Sequence, residues 1–364
     1  MKNTLLIITL LLSFTTTIFA QQITGTTGKI WYHEQVIYAN IVDKGVLVID
    51  NKNPKQPKKL GFIEIPGNVD IAVVDKILIA NNFDDLITID ISKLDKISNK
   101  KILRRFDGIF PQHGTGSEKI DWIEPTKKQW KSSGTAMASS SNSVGGSMAC
   151  LTIVGKQLYA INGEEIHSFN ISNPKKVSQN KDVVKIKGDN IETIFSTDDK
   201  LFIGAQKGMY IYGLDNPKAP NLVGMYEHTE SCDPVVVEGN RAYITLRDGT
   251  ECNRKINRLE IIDISNPKRP KRISSTKTTH PYGLAVDCGY VYLCDGEAGL
   301  KVVDATNPRR PQLEQQLKEI QNTYDIIALQ REKILILVGD GQLIQYNYTK
   351  KTDLKKLSKI SINL

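Results

Sequence analysis

The sequence is poor in the residues from which metal centres are usually built. It holds five histidines and five cysteines among 364 residues, and no two of them stand at the His-x-x-x-His or Cys-x-x-Cys spacing that is typical of zinc sites. The common zinc-binding classes are therefore excluded. We predict neither a metal site nor a cofactor.

Long apolar runs are missing after the N-terminus. Lys2 is followed by the apolar run from Leu5 to Leu12, and later by Ile18, Phe19 and Ala20. This is the order of charged region, apolar region and small residue found in secretory signal peptides. Nothing later approaches the roughly 20 apolar residues of a transmembrane helix. We therefore predict a signal peptide over residues 1–20 with cleavage near Ala20, no transmembrane segment, and export to the periplasm, the cell surface or the medium.

The chain has an excess of positive charge, with a formal net charge of +8 at pH 7. For an exported protein, this excess favours acidic surfaces or phosphate-rich envelope glycans over nucleic acid as partners. We predict that the chain does not bind nucleic acid.

One pattern recurs along the chain. An apolar strand ends in Asp or Asn and is followed by an Asn-Pro turn, often with a second proline three residues later. The asparagine accepts a local backbone hydrogen bond and the proline presets the turn. The seven copies, two of which lack the prolines, begin at Gly45, Asp85, Glu165, Gly208, Arg258, Gly299 and Gln342.

The copies are spaced about 40 to 50 residues apart, as the blades of a β-propeller are. One interval is doubled, and its surplus matches the polar, Ser/Gly-rich stretch 111–147, which shows no strand pair. An apolar hairpin precedes the repeated strand and a more polar strand follows it. We therefore predict an all-β protein with a single domain over residues 21–364, a seven-bladed β-propeller of four-stranded antiparallel blades with an insertion at 111–147.

Closure of the ring has two possible schemes. Residues Leu357 to Ile362 either form the fourth strand of the seventh unit or complete a blade that begins near Gly28 to Tyr32.

The repeated strand, seen as Val46-Leu-Val-Ile-Asp50 and Leu300-Lys-Val-Val-Asp304 and followed by Asn-Pro-x-x-Pro, resembles the LVIVD-repeat family of bacterial envelope proteins. The resemblance covers the chain after residue 20 apart from the insertion. It implies a β-propeller with a role in surface binding or adhesion. It brings no catalytic residues, so none are assigned.

Lysines and arginines gather around the Asn-Pro turns, as at Lys268-Arg269 and Arg309-Arg310. Such charges protect an exposed outer strand from pairing with another chain. Most of the net positive charge is therefore expected on one face of the propeller.

The opposite face carries the loops that join the second strand to the third and each blade to the next. We call it the loop-rich face, and the order of strands within a blade places the insertion there. We expect any binding site on this face, because functional residues favour loops on a rigid scaffold. Trp122 and Trp130 of the insertion either contact a ligand or pack over the propeller mouth. The candidate ligand-binding residues are Trp122, Trp130, His228, Asp233, Arg247, His280, Asp295 and Asp340.

Two of the five cysteines, Cys232 and Cys252, fall in loops of the fifth unit that reach the same face. In an oxidising compartment we predict a disulfide between them. Cys150, Cys288 and Cys294 are expected to stay unpaired.

These features favour a secreted or cell-surface binding or adhesion module that holds a protein or glycan at the cell envelope through its loop-rich face. The alternative is a secreted hydrolase or lyase at the propeller mouth that uses His228, His280 and nearby aspartates. A cluster of His228, His280, Asp233 and Asp295 in one pocket would favour the enzyme. Dispersed loops would favour binding.

Overall fold

The computed structural model describes residues 27–94, 101–110, 143–186, 189–228, 234–248 and 256–363. Several predicted features lie outside these residues, and they stay predictions: the signal peptide, most of the insertion, and the disulfide between Cys232 and Cys252. Of the candidate site residues, Trp122, Trp130 and Asp233 also lie outside the described residues.

The described chain forms seven four-stranded antiparallel blades, which confirms the predicted β-propeller. In each blade the strands follow one another from the centre outwards. Blades 1 to 3 are β1 (Thr27–His33), β2 (Val36–Ile41), β3 (Gly45–Asp50) and β4 (Lys58–Glu64); β5 (Ile71–Val74), β6 (Ile77–Asn82), β7 (Asp85–Asp90) and β8 (Ile102–Phe106); and, after a short extra strand β9 (Ser143–Gly145), β10 (Leu151–Val154), β11 (Gln157–Asn162), β12 (Glu165–Asn170) and β13 (Ser178–Lys185).

Blades 4 to 7 repeat the same arrangement. They are β14 (Ile191–Ser196), β15 (Lys200–Ala205), β16 (Gly208–Gly213) and β17 (Asn221–Glu227); β18 (Val235–Glu238), β19 (Arg241–Leu246), β20 (Arg258–Asp263) and β21 (Lys271–Lys277); β22 (Leu284–Asp287), β23 (Tyr290–Cys294), β24 (Leu300–Asp304) and β25 (Gln312–Leu317); and β26 (Thr323–Leu329), β27 (Ile334–Gly339), β28 (Gln342–Asn347) and β29 (Lys355–Ser361). No helix in the described part of the chain is long and apolar enough to cross a membrane.

The core lies between neighbouring blades, because successive side chains of a strand point to opposite faces. In β26, Ile326 packs with Ala285 and Tyr292 of blade 6, whereas Ile327 packs with Ile30 of blade 1. The ring closes in the same way, by packing of β26 against β1. Strand β29 pairs along β28 as the fourth strand of blade 7, so the first of the two closure schemes is the one observed.

The Asn-Pro turns have the expected geometry. The side-chain oxygens of Asn53, Asn266 and Asn307 each accept a hydrogen bond from the backbone N–H two residues later, at 3.1, 3.2 and 3.2 Å. These bonds fix the turn backbone. The side chains of the turn residues are therefore held at the outer rim of the face opposite to the loop-rich face.

The structure of the last residues of the insertion differs from what we predicted. We predicted no strand pair in this stretch and a position on the loop-rich face. Instead β9 adds to the inner edge of β1, with Ser143 opposite His33 and Gly145 opposite Trp31, so Ser143 lies at the far end of the central channel. An inner edge strand offers unpaired backbone groups to such a segment, and a side chain on Gly145 would overlap the Trp31 ring.

Residues 146–150, which we name the cross-channel segment, continue from β9 across the channel. Gly146 donates its N–H to Ile30 O of blade 1 at 3.1 Å. The Ser147 hydroxyl accepts from the N–H of Leu284 in blade 6 at 2.8 Å, and Ala149 O accepts from Ile194 N–H of blade 4 at 2.8 Å. Partners in three blades around the ring show that the segment closes the loop-rich end of the channel.

Candidate functional site

A cavity of about 710 Å³ lies in the channel beneath the cross-channel segment. It extends from Ser147 to the turn at Gln330–Glu332, which faces away from the loop-rich side. Its walls come mainly from the apolar first strands of blades 5 to 7, with Phe195 of blade 4 and Tyr32 of blade 1. Its two charged lining residues, Arg331 and Glu332, stand at the rim. None of the predicted site residues that the structure describes, His228, Arg247, His280, Asp295 and Asp340, lines this cavity.

On the loop-rich side, four half-buried side chains lie against one another. We name Arg247, His280, Tyr282 and Tyr324 the mouth cluster. The Arg247 guanidinium lies 4.3 Å from the centre of the Tyr282 ring, within the range of a cation–π contact. The Tyr282 ring centre lies 5.0 Å from that of His280 and 5.5 Å from that of Tyr324. Two predicted candidates, Arg247 and His280, are thus brought together.

The loop that carries His280 is held by Asp295. This carboxylate is fully buried and accepts hydrogen bonds from the backbone N–H groups of Thr279 at 3.0 Å and His280 at 2.8 Å. It also forms an ion pair with Lys301. Asp295, a predicted ligand-binding residue, therefore has its carboxylate engaged by the protein and positions the backbone of His280.

Tyr282 is held equally firmly through its backbone. Its N–H donates to Cys294 O at 2.8 Å, and its carbonyl accepts from the Thr245 hydroxyl at 2.9 Å. The ring is therefore presented by two blades rather than by a free loop.

Two carboxylates flank the His280 ring. Nε2 lies 3.9 Å from Asp248 Oδ1, and Nδ1 lies 3.8 Å from Glu297 Oε2. Both distances exceed that of a direct hydrogen bond. The imidazole and the two carboxylates can therefore still form hydrogen bonds to a ligand group that bridges them.

A buried ion pair lies near Tyr324, one residue of the cluster. Lys29 Nζ lies 3.0 Å from Asp70 Oδ2 and 3.3 Å from Cys150 Sγ. Burial alone would lower the pKa of Lys29, but the attraction of Asp70 outweighs it, and the pKa is raised above its usual value. Burial raises the pKa of the Cys150 thiol, so Lys29 is a cation beside a neutral thiol. The described cysteines Cys150, Cys288 and Cys294 are all free.

Asp70 and Asp325 play equivalent parts in two blades. Asp70 accepts from Ile71 N–H of its own blade at 2.7 Å and from Leu151 N–H of blade 3 at 3.1 Å. Asp325 accepts from Ile326 N–H at 3.0 Å and from Ile30 N–H of blade 1 at 3.1 Å. Burial raises the pKa of Asp325 to about 7. Each of these aspartates therefore ties its blade to the next.

Sequence analysis did not select these two aspartates. A signal was present, because each stands directly before the isoleucine that opens or continues a first strand, as Val69-Asp70-Ile71 and Tyr324-Asp325-Ile326. This signal lies at the beginning of the first strand, outside the third strand and Asn-Pro turn that define the repeat.

The remaining described candidates lie elsewhere. His228 lines a separate cavity of about 330 Å³ with Glu260, Arg258 and Arg272. In this cavity the Glu260 carboxylate accepts a hydrogen bond from the Tyr226 hydroxyl at 2.8 Å and another from the Arg272 guanidinium at 2.9 Å.

Asp340 is exposed, has the left-handed φ of 44° that suits a turn, and accepts from Asn322 at 2.8 Å. His228 and His280 thus line different sites, and the grouping that would have favoured an enzyme is not seen for them. Within the described residues, no group of three or more His, Cys, Asp or Glu side chains could hold a metal ion.

The model of the LVIVD repeat family matches residues 231–278 and 282–318. The chain contains LVIVD repeats. The two matched LVIVD repeats correspond to blades 5 and 6. They supply Arg247 and Tyr282, and His280 lies in the short interval between them. No curated protein sequence matches the chain.

Solved structures share the architecture of this chain. A Bacteroides fragilis protein, provisionally assigned as a 6-phosphogluconolactonase, has 11% identity and a TM-score of 0.63, with 92% of this chain and 96% of that chain covered. BamB from Moraxella catarrhalis has 9% identity and a TM-score of 0.54, with 87% and 80% covered. Hsv2 from Kluyveromyces lactis has 11% identity and a TM-score of 0.53, with 93% and 100% covered. At these identities the likeness shows the fold alone.

Proposed function

We propose that this chain is an envelope binding protein whose mouth cluster holds a glycan on the loop-rich face. The observation that carries the proposal is the contact of Arg247, His280, Tyr282 and Tyr324, all half-buried. The backbones of His280 and Tyr282 are tied to the ring, and Tyr324 lies in strand β26. A rigid scaffold with a few convergent polar groups is the usual basis of a selective binding site.

The chemistry of the cluster suits a sugar better than a protein surface. Tyrosine rings offer a flat apolar face to the C–H face of a sugar ring. Arg247, Asp248 and Glu297 can donate to or accept from its hydroxyl groups. Tyrosine and arginine also anchor protein interfaces, but there they are set in an apolar centre. The exposed large hydrophobic residues of the described chain, Val183, Leu222 and Leu313, all lie on outer strands away from this cluster.

Replacing Tyr282 by alanine should abolish most of the glycan binding. The substitution removes the ring that contacts Arg247, His280 and Tyr324, and we expect the affinity to fall at least about ten-fold, which corresponds to about 1.4 kcal/mol. Binding would be found first on an array of bacterial envelope oligosaccharides and then measured by titration calorimetry with the best-bound oligosaccharide.

Two controls make this test specific. Tyr282→Phe keeps the ring and should retain most of the affinity. Tyr290→Ala makes the same truncation in the same blade but at the opposite face, and should leave the affinity unchanged. If the folded protein bound no oligosaccharide of the array, or if Tyr282→Ala bound as well as the unaltered protein, the proposal would be wrong.

A further inference from the structure

Positive charge is concentrated in one set of turns. The turns between the third and fourth strands, which we call the rim turns, span residues 51–57, 91–101, 171–177, 214–220, 264–270, 305–311 and 348–354. Their described residues include thirteen lysines and arginines but only two acidic residues, Asp215 and Asp353. All of the rim turns lie on the same face of the propeller, because every blade runs outwards in the same order.

The strands on either side of the rim turns do not cancel this charge. Four of the third strands end in an aspartate, as at Asp50 and Asp304, and these four negative charges are fewer than the six cations that begin the fourth strands of three blades. Fourth strands then begin with further cations, at Lys58-Lys59, Lys271-Arg272 and Lys355-Lys356.

The loop-rich face has the opposite composition. In the described part of its loops, eleven acidic residues stand beside only four basic ones, Lys44, Lys207, Arg247 and Lys318. Four of the eleven, Asp70, Asp84, Asp189 and Asp295, are buried, which leaves seven acidic residues against four basic ones at the surface of these loops. The two faces therefore still differ in the sign of their loop charge, with a basic rim on one face and an excess of acidic residues on the other. A charge distribution of this kind orients a protein in an external field.

Protection of the sheet edge does not account for this polarity. Lysine is the commonest edge-protecting charge, but protection requires charges along the outer strand itself, whereas the rim charges stand in the turns before it. Arg269, Arg309 and Arg310 are exposed, and their turn backbones are fixed by the asparagine bonds. The uniform sign needs a separate cause.

Apolar side chains stand next to the same rim. Leu222 and Leu313 are each 55% exposed. Each is the second residue of a fourth strand, directly after the rim turns of blades 4 and 6. Exposed leucines beside basic turns are typical of surfaces that lie in the interface of a lipid bilayer.

We propose that the basic rim docks onto an anionic lipid surface, with Leu222 and Leu313 entering the headgroup region and the loop-rich face turned away from the membrane. Clusters of roughly four to eight basic residues are sufficient for attraction to anionic lipids, and the rim exceeds that number. The residues that would contact the lipid, the basic rim with Leu222 and Leu313, include no residue of the mouth cluster, so the proposal does not depend on the proposed glycan binding.

The test is co-sedimentation of the protein with vesicles of phosphatidylcholine, with and without phosphatidylglycerol. We expect binding only when phosphatidylglycerol is present and a progressive loss of binding as salt is added, because salt screens the attraction. The triple variant Arg269→Glu, Arg309→Glu and Arg310→Glu should lower the affinity at least about ten-fold. A variant with glutamine at these three positions should lower it less.

The matched control makes the same change of charge on the other face. Lys44→Glu, Lys277→Glu and Lys318→Glu alter three exposed lysines at or near the loop-rich face and should leave vesicle binding nearly unchanged. Leu222→Ser with Leu313→Ser should weaken the binding that remains at high salt. Thermal melting would establish that each variant is folded.

Three results would overturn the proposal. One is equal binding to vesicles with and without phosphatidylglycerol, and another is an equal loss of affinity in the rim and control variants. The third is binding to soluble polyphosphate without binding to vesicles, which would assign the rim to a soluble polyanion instead. Glycan binding would be measured on the same rim variants. If it is retained, a failure of the lipid proposal leaves the proposed glycan binding untouched.

Discussion

Replacement of Asp70 by alanine is expected to lower the free energy of unfolding by about 3 to 5 kcal/mol, because it leaves the buried Lys29 without its counter-ion. Asp70 Oδ2 lies 3.0 Å from Lys29 Nζ, and the Lys29 and Asp70 side chains are only 10% and 2% exposed. The same carboxylate accepts hydrogen bonds from Ile71 and Leu151. The substitution therefore loosens the joints between blades 1, 2 and 3 together.

Urea denaturation followed by circular dichroism would measure this loss. The informative control is the double variant Lys29→Met with Asp70→Asn, which removes both charges and keeps most of the side-chain volume. It should be less destabilised than Asp70→Ala alone, since no unpaired charge remains buried. The single variants Lys29→Met and Asp70→Asn would be measured as well. If the double variant lost as much free energy of unfolding as the sum of these two, the ion pair would not be the source of the effect.

The stability of the protein should fall as the pH rises towards 7, because of Asp325. Burial raises the pKa of this carboxyl in the folded protein to about 7, whereas it is about 3.9 in an unfolded chain. The folded state thus binds more protons in this interval, and stability falls as they are lost. The contribution of Asp325 to the free energy of unfolding is fully present below about pH 4 and is lost by just above pH 7. The free energy of unfolding therefore falls by up to about 4 kcal/mol over this interval.

The comparison with Asp325→Asn isolates this group, because asparagine has nearly the same shape and does not titrate. Unfolding by urea would be measured for both proteins from about pH 4 to about pH 8, around the two pKa values. The unaltered protein should lose stability relative to the variant as the pH rises. A constant difference over this interval would show that Asp325 is ionised throughout.

The fold could be predicted from the sequence because the repeat is local. A third strand such as Leu300–Asp304 and the Asn-Pro turn after it lie within a dozen residues, and alternation along a strand is enough to orient them. The unit beginning at Asp85 also forms a regular blade, although it lacks the prolines. The period of the repeat therefore carried the prediction even where the turn residues departed from it.

The site could be predicted only in part because it is built from distant residues. Arg247 and His280 were placed on the correct face by the order of strands within a blade. Tyr324 and the two buried aspartates were missed, since the bond from Ile30 to Asp325 joins residues 295 positions apart. The pairing of β9 with β1 was also missed, because it joins distant residues. In addition, the β9 segment is short and rich in serine and glycine, so it shows no strand pattern.

The cross-channel segment also constrains the order in which the chain can fold. It lies between blades 2 and 3 in the sequence, yet Ser147 bonds to Leu284, which follows 137 positions later. On a growing polypeptide, the early blades can form while the partners of this segment have not yet been synthesised. Contacts of such long sequence separation slow folding. The cross-channel segment can therefore take its final position only late in folding, after blades 6 and 7 have formed.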